Sequence, residues 1–213
     1  MFGSKPTPQQ FWKWFMAHSS AFYDFETDQE WLFDQLAKRL QQIDPNLTFE
    51  FGPKIENKRE FVISAGGITT AFPAVLELIR IAPTLEHWQI TGFRPRRPPT
   101  CTIELRGKSI DPAQVKFSLI DNGKDMGVHL FLPGYEAADV TWREMGYLLL
   151  DEALGAYDVE TKVGPIGMFS IDDPRPGERF ALIELPAIFD RHCITLQNRS
   201  QTQTLHSDSR SLH

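Results

Sequence analysis

Two stretches of this 213-residue chain, at about 47–93 and 115–171, show the same order of local sequence patterns. Each begins with two segments of alternating apolar and polar residues around a turn signal, and continues with a helical stripe and a further apolar segment. Alternation with period two indicates strands, and spacings of three and four indicate a helix. A short turn joins antiparallel strands, whereas a helical crossover joins parallel ones. The sequence therefore predicts an α+β fold with a mixed β-sheet.

The first stretch contains three predicted strands and one helix. The strands are expected at about 47–51, 60–65 and 88–93, and the helix at about 70–82. Pro83 ends that helix, because the residue before a proline is driven out of the helical conformation. The helix then leads into a strand that is expected to lie parallel to the preceding one.

The second stretch has stronger turn and cap signals. Its strands are expected at about 115–121, 126–132 and 163–171, and its helix at about 141–154. Asn122-Gly123 is typical of a tight hairpin turn, because both residues tolerate positive φ. Thr141 and Glu144 fit a capping box at the start of the helix, and Gly155 suits the position after its end.

The shared order of elements has two explanations. One is an internal duplication, and the other is the ordinary alternation of hairpins and helices in α+β proteins. No residue-level identity between the two stretches accompanies the shared order. Both explanations stay open on the sequence alone.

Two helices are predicted before the first stretch, within residues 7–43. Thr7 with Gln10 and Thr27 with Glu30 each fit a capping box at a helix start. The two helices are expected to form an antiparallel pair that packs on the sheet. We expect one globular domain over 1–193 and a disordered tail over 194–213, where the sequence becomes polar and loses its periodicity.

Charge and composition exclude several classes of protein. The net charge is −6 with a pI near 5.5, which argues against broad binding to nucleic acid or to anionic membranes. No run approaches the roughly 18 apolar residues of a membrane span, and the N-terminus has no apolar signal-peptide core. The two cysteines, Cys101 and Cys193, make no disulfide framework. A cytoplasmic protein is the expectation.

Arg94, Arg96 and Arg97 form the strongest local cluster of charge, in a proline-rich link. Guanidinium groups bind phosphate or carboxylate through paired hydrogen bonds, so the link is a candidate site for a small anionic ligand. The alternative is that these arginines pair with the protein's own carboxylates.

Glu152 is the carboxylate that the sequence singles out as a candidate catalytic acid or base. It follows Leu148 and Leu149 by four and three residues, which turns it toward the apolar side of the predicted helix. A buried carboxylate must be paired or must change its pKa. An ion pair with a buried Arg or Lys is the alternative.

Trp12 and Trp31 are candidate anchors for a protein partner, because each lies off the predicted apolar stripe of its helix. Packing between the two helices is the alternative. The histidines His18, His87 and His129 have no metal-ligand spacing, so no metal site is predicted. No cofactor motif is found, and no arrangement of nucleophile, base and orienting group can be assigned.

Four strings, taken in order, resemble a family of uncharacterised bacterial proteins of about this length, with a Trp-x-Trp-Phe helix near the N-terminus. The strings are FWKWF at 11–15, EFVISAGG at 60–67, APTLEHW at 82–88 with FRPR at 93–96, and LDEALG at 150–155. The resemblance covers most of the chain, implies a bacterial setting and carries over no activity. Ala156 stands where relatives often have an acidic residue.

The leading functional hypothesis is a non-catalytic binding or protein-interaction module. A small hydrolase or transferase acting on an anionic substrate, with Glu152 as acid or base and the arginines as clamp, is the alternative. A structural or assembly role would appear as an exposed apolar patch around Trp12 and Trp31.

Overall fold

A computed structural model describes residues 5–123 and 125–208 of the chain. The chain divides into two compact units, Met1–Arg94 and Pro95–His213. We call them the N-terminal unit and the C-terminal unit. The fold is α+β with an N-terminal helix pair, as the sequence predicted, and each unit has its own β-sheet.

The N-terminal unit contains the helix pair and the first hairpin–helix–strand stretch. Its elements are α1 (Pro8–Tyr23), α2 (Gln29–Ile43), β1 (Thr48–Ile55), β2 (Lys58–Ser64), α3 (Phe72–Arg80) and β3 (Trp88–Gly92). The sheet order is β1-β2-β3. β1 runs antiparallel to β2, and β3 runs parallel to it. The predicted mixed pairing of this stretch is therefore confirmed.

The two helix starts show why one cap prediction is right and the other wrong. At α1, Thr7 and Gln10 form the predicted capping box. α2 begins at Gln29 with Asp28 at its N-cap position, one residue later than a Thr27 cap would place it. The Thr27 hydroxyl donates to the carbonyl oxygen of Asp24 at 3.0 Å, within a short 3₁₀ turn, so it does not cap the helix.

The core of the N-terminal unit is built largely from aromatic rings. Phe15 of α1 stacks on Phe61 of β2, with ring centroids 4.8 Å apart, and Trp88 of β3 meets Phe15 edge-on at 5.1 Å. Phe33 of α2 packs edge-on against Phe49 of β1 at 5.2 Å. Such pairs contribute about 0.5–1.5 kcal/mol each beyond the burial of their area. They fix both helices onto the sheet of this unit.

The described residues of the C-terminal unit form two β-sheets and three α-helices. Its elements are β4 (Ile103–Leu105), β5 (Lys108–Ile110), β6 (Lys116–Asp121), β7 (Met126–Leu132), α4 (Val140–Leu154), α5 (Ala156–Lys162), β8 (Val163–Ser170), β9 (Phe180–Ala181) and α6 (Leu185–Asp208). β4 and β5 form a two-stranded sheet. The larger sheet has the order β8-β7-β6-β9, with β7 and β8 parallel and the other pairs antiparallel.

The boundaries of α4 confirm one cap prediction and correct another. Gly155 ends the helix with φ of 80°, as predicted. At the start, Asp139 is the cap instead of Thr141: its carboxylate accepts the Thr141 N–H at 2.8 Å. Hydrogen bonds from the backbone and the side chain of Thr141, together with one from Lys108, lower the pKa of Asp139 to about 2. A charged carboxylate is a strong cap because it also meets the positive end of the helix dipole.

The last helix replaces most of the predicted disordered tail. α6 continues through Asp208, so 194–208 are helical, and 209–213 lie outside the described residues. Ile188, Phe189 and Leu196 are buried on one side of the helix, in the core of this unit. Although most of its residues are polar, α6 is anchored to the core of this unit by a few widely spaced apolar residues. Across residues 5–123 and 125–208, no helix combines the length and hydropathy needed to cross a bilayer.

Candidate functional site

The first link arginine, Arg94, binds a carboxylate of its own unit. Arg94 closes the N-terminal unit and pairs with Glu50 through two nitrogens, one of them Nε at 2.9 Å. Both side chains of this pair are more than a third exposed. Arg94 is therefore occupied by a carboxylate of the protein itself, which is the alternative that the sequence left open.

Arg96 connects three parts of the C-terminal unit. Its Nε donates to the carbonyl oxygen of Leu154, at the end of α4, at 2.7 Å. One terminal nitrogen binds both carboxylate oxygens of Asp190 in α6, at 2.8 and 3.0 Å, and the other binds Asp158 in α5 at 2.5 Å. The carboxylates of Asp190 and Asp158 raise the pKa of Arg96. Arg96 thus holds three helices to the link.

Glu152 lies beside Arg97 in the C-terminal unit. The Arg97 N–H donates to the Glu152 carbonyl oxygen at 2.6 Å. Burial raises the pKa of the Glu152 carboxyl, and the positive charge of Arg97 opposes this rise. Within the described residues, the Oε2 atom of Glu152 is buried without a hydrogen-bond partner. A charged carboxylate is disfavoured in such a setting, which agrees with the raised pKa of Glu152.

A cleft of about 280 Å³ adjoins this region of the C-terminal unit, but Glu152 does not line it. Its walls are mainly apolar and are formed by Arg96, Arg97, Pro98, Pro99, Ala153, Ile183 and Pro186. The acid or base of the enzyme hypothesis and its pocket are therefore not brought together here. That hypothesis keeps only the raised pKa of Glu152 in its favour.

The two candidate tryptophan anchors have opposite environments in the N-terminal unit. Trp12 is only 3% exposed, and its Nε1–H donates to the carbonyl oxygen of Leu78 at 2.9 Å. Trp12 therefore packs inside its unit and offers no surface for a partner. Trp31 is 54% exposed on α2. Because Trp12 is buried, the two residues do not form one exposed apolar patch.

A larger cleft of about 420 Å³ opens in the C-terminal unit beside strand β6, and we call it the β6 cleft. Its lining comprises residues 118–121 of β6, Met126 and His129 of β7, the loop residues 175–178, Phe180 of β9, and Ile188 and His192 of α6. Volumes of this order are usual for binding pockets, which combine apolar walls with a few convergent polar groups. No group of three His, Cys, Asp or Glu side chains arranged to hold a metal occurs among the residues described.

The β6 cleft exists because one edge of β6 is only partly covered. β9 pairs with Lys116 and Phe117 alone. The Leu182 N–H donates to the Val115 carbonyl oxygen at 3.2 Å, so Val115 faces the β9 side. Backbone groups of alternate residues face the same edge, which places the N–H and C=O of Leu119 there too. In the described part of the chain, no strand pairs with β6 at Leu119 on that side.

The loop that precedes β9 does not pair with β6, because Arg179 holds the loop in a compact turn. The Arg179 guanidinium donates to the carbonyl oxygens of Ile171, Asp173 and Arg175. Continuing the Phe117–Phe180 register would bring residue 178 opposite residue 119. The loop does not continue this register, and Pro176 has no N–H group to donate to a neighbouring strand. β6 and this loop are therefore unpaired at Leu119.

Charged and aromatic groups cover the outer face of the larger sheet next to the cleft. The His129 ring meets Phe169 edge-on at 4.8 Å, and the guanidinium of Arg175 lies 3.2 Å from the centre of the Phe169 ring. Burial and then the charge of Arg175 lower the pKa of His129, and Asp173 opposes this. The lowered pKa favours the neutral His129 ring, which can donate one hydrogen bond and accept another.

The inner face of the same cleft is apolar. Leu119 lies on the side of β6 that packs into the core of the unit, together with Phe180 and Ile188. Asp121 lies on this side as well, and its carboxylate is paired with Arg199 of α6 at 2.5 Å. The inner wall of the cleft is thus apolar apart from the Asp121–Arg199 ion pair, and the opposite wall is polar.

Sequence reasoning did not find the β6 cleft. In the sequence, His129 has no metal-ligand spacing, and residues 172–177 match no motif of a binding site. A usable signal was the density of Pro, Gly and Arg between Asp173 and Arg179, because such loops commonly carry binding residues. The packing of α6 beside β6, which completes the cleft, cannot be predicted from local sequence patterns.

Comparison of the chain with protein-family models, with curated proteins and with solved structures finds no match.

Proposed function

We propose that this chain is a binding protein without covalent chemistry of its own, and that it takes a segment of another polypeptide into the β6 cleft. The observation that carries the proposal is the split between β6 and the loop 175–178. It brings backbone hydrogen-bonding groups, an apolar wall and charged side chains together in one cleft of about 420 Å³. These are the three kinds of contact that peptide-binding sites combine.

The mixed lining of the cleft favours a peptide over a simple anion. Arg175 carries positive charge into the lining, whereas Asp121 and Glu178 carry negative charge. A phosphate or carboxylate ion alone would bind only the charged part of this lining and would leave the apolar wall and the backbone groups of Leu119 without a partner. A peptide offers both signs, amide groups and apolar side chains, and so matches a lining of mixed character.

Selection from a display library of random octapeptides against the whole protein tests this proposal. Peptides that are enriched should bind wild type in a fluorescence anisotropy titration and should bind His192→Trp at least tenfold more weakly, because the larger ring fills the cleft. Arg191→Trp is the matched control, since Arg191 is the preceding residue of α6 and does not line the cleft. A library without binders, or binders that tolerate His192→Trp, would overturn the proposal.

The setting that we propose for this activity is the bacterial cytoplasm. Support comes from the resemblance to a bacterial family and from the two cysteines, which are both free, with Cys101 exposed. An exposed thiol is usual in a reducing compartment. Fractionation of bacteria that express the chain tests this, and recovery from the periplasm would contradict it.

A further inference from the structure

The uncovered edge of β6 indicates how a peptide binds, and this inference rests on the proposed function. We propose that the partner is an extended peptide that pairs with β6 at Leu119 as an added strand, with apolar and acidic side chains in alternation. Strand addition of this kind uses main-chain hydrogen bonds for affinity and alternate side chains for specificity.

The requirement for an extended backbone follows from the hydrogen bonds of β6. Ser118 and Ile120 use their N–H and C=O groups in the ladder with β7, where they pair with His129 and Gly127. The corresponding groups of Leu119 point to the opposite edge, beyond the last residue that β9 covers. They are spaced to bond one residue of a further strand in the antiparallel pattern. A peptide backbone satisfies both groups at once.

The alternation of side chains follows from the two faces of the sheet. Successive residues of a strand point to opposite faces. On the inner face, an added strand meets Leu119, Phe180 and Ile188, which are apolar. On the outer face it meets Arg175 and His129. The inner face therefore selects apolar side chains and the outer face selects acidic ones.

Arg175 can hold a carboxylate of the partner while it keeps its place in the loop. Its Nε donates to Asp173 at 2.8 Å. In the part of the chain that the structure describes, neither terminal nitrogen of Arg175 has a hydrogen-bond partner. Asp121 is neutralised by Arg199, and Glu178 is exposed, so water and salt screen its charge. An acidic side chain on the outer face therefore gains a net attraction.

The probes are three fluorescein-labelled hexapeptides, measured by anisotropy against the whole protein. The first alternates Val and Glu, the second alternates Val and Lys, and the third is the Val–Glu peptide with N-methyl groups on alternate amides. The Val–Glu peptide is expected to bind at least tenfold more tightly than either other probe. Arg175→Gln should weaken it about fivefold, the scale of one partly exposed ion pair. Arg106→Gln, which removes an exposed arginine outside the cleft, should leave it unchanged.

The outcomes separate this inference from the proposed function. If library-selected peptides bind in the cleft but N-methylation or exchange of Glu for Lys costs nothing, strand addition is overturned and the proposed function stands. If neither the hexapeptides nor any library peptide binds, both fall. Complete displacement of the Val–Glu peptide by millimolar inorganic phosphate would show an anion site only, which also overturns strand addition.

Discussion

Replacing Arg96 by Met tests whether the link arginines hold the fold or remain available for a ligand. The substitution keeps the aliphatic stem and removes the guanidinium. The Leu154 carbonyl loses its donor, which costs about 1 kcal/mol. Asp158, whose side chain is 17% exposed, loses one cation and keeps Lys162 at 2.8 Å, and the half-exposed Asp190 loses its pairing with Arg96. With the two carboxylates contributing about another 1–2 kcal/mol, the loss should be about 2–3 kcal/mol.

The matched control is Arg94→Met, in the N-terminal unit. The pair that it breaks, Arg94 with Glu50, has both side chains more than a third exposed. Exposed pairs contribute at most about 1 kcal/mol. The control variant therefore removes the same side chain from the same link while breaking a weaker interaction.

The assay is urea denaturation followed by pulsed hydrogen exchange and mass spectrometry, which reports each unit separately. Peptides from α4 and α6 should show a free energy of unfolding about 2–3 kcal/mol lower in Arg96→Met, with a melting temperature lower by about 8–12 °C. Peptides of the C-terminal unit should be unchanged in Arg94→Met. A loss below 0.5 kcal/mol in Arg96→Met would refute the reasoning, since a solvated anion clamp would leave stability unchanged.

Three further predictions concern single side chains. Trp12→Phe should lower the free energy of unfolding by about 1–2 kcal/mol, because the Leu78 carbonyl loses a buried donor. Trp31→Phe should change it by less than about 0.5 kcal/mol. Chemical denaturation of the two variants compares these values. Glu152→Gln should stabilise the protein at pH 7 by about 0.5–1 kcal/mol, after allowance for solvent screening. Its raised pKa favours the neutral carboxyl in the folded state, so the gain should shrink as pH falls toward 4.5, and a constant gain would contradict this. Because the folded-state pKa of His129 lies below 6.5, stability should fall as pH is lowered from about 7 through 6.5. Thermal melts of His129→Gln should lack that part of the fall, and an identical pH profile would refute it.

The elements that could be predicted are those with local chemical causes. The Asn122-Gly123 signal marks the hairpin of β6 and β7, and Gly123 has φ of 85°. Gly155 marks the end of α4 for the same reason, since glycine accepts positive φ without strain. The parallel return of β3 and β8 followed from the length of the helical crossovers.

Of the elements that were missed, one has a local cause and the other depends on residues far apart in sequence. Asp139 caps α4 because the preceding turn places its carboxylate there, and Thr141 is buried instead. α6 extends past 194 because Leu196 reaches a core formed by residues far away in sequence. Spacing on one helix does not reveal such partners.

The candidate sites divide in the same way. The helical neighbours of Glu152 indicated that it turns toward the apolar side of its helix. The partners of Arg96 lie 58 to 94 residues away, so the sequence could show a cluster of charge but not its use. The β6 cleft depends on where β9 stops pairing with β6. The hydrogen bonds of Arg179 to the loop that precedes β9 determine that position.

Amide hydrogen exchange at Leu119, resolved by NMR, tests the central claim most directly. In the free protein, the Leu119 N–H should exchange much faster than those of Ser118 and Ile120, which β7 protects. Saturating amounts of a selected peptide should then slow Leu119 to the rate of its neighbours. Equal protection of all three amides before any peptide is added, or an unchanged Leu119 rate in the bound state, would contradict an open strand edge that receives a partner.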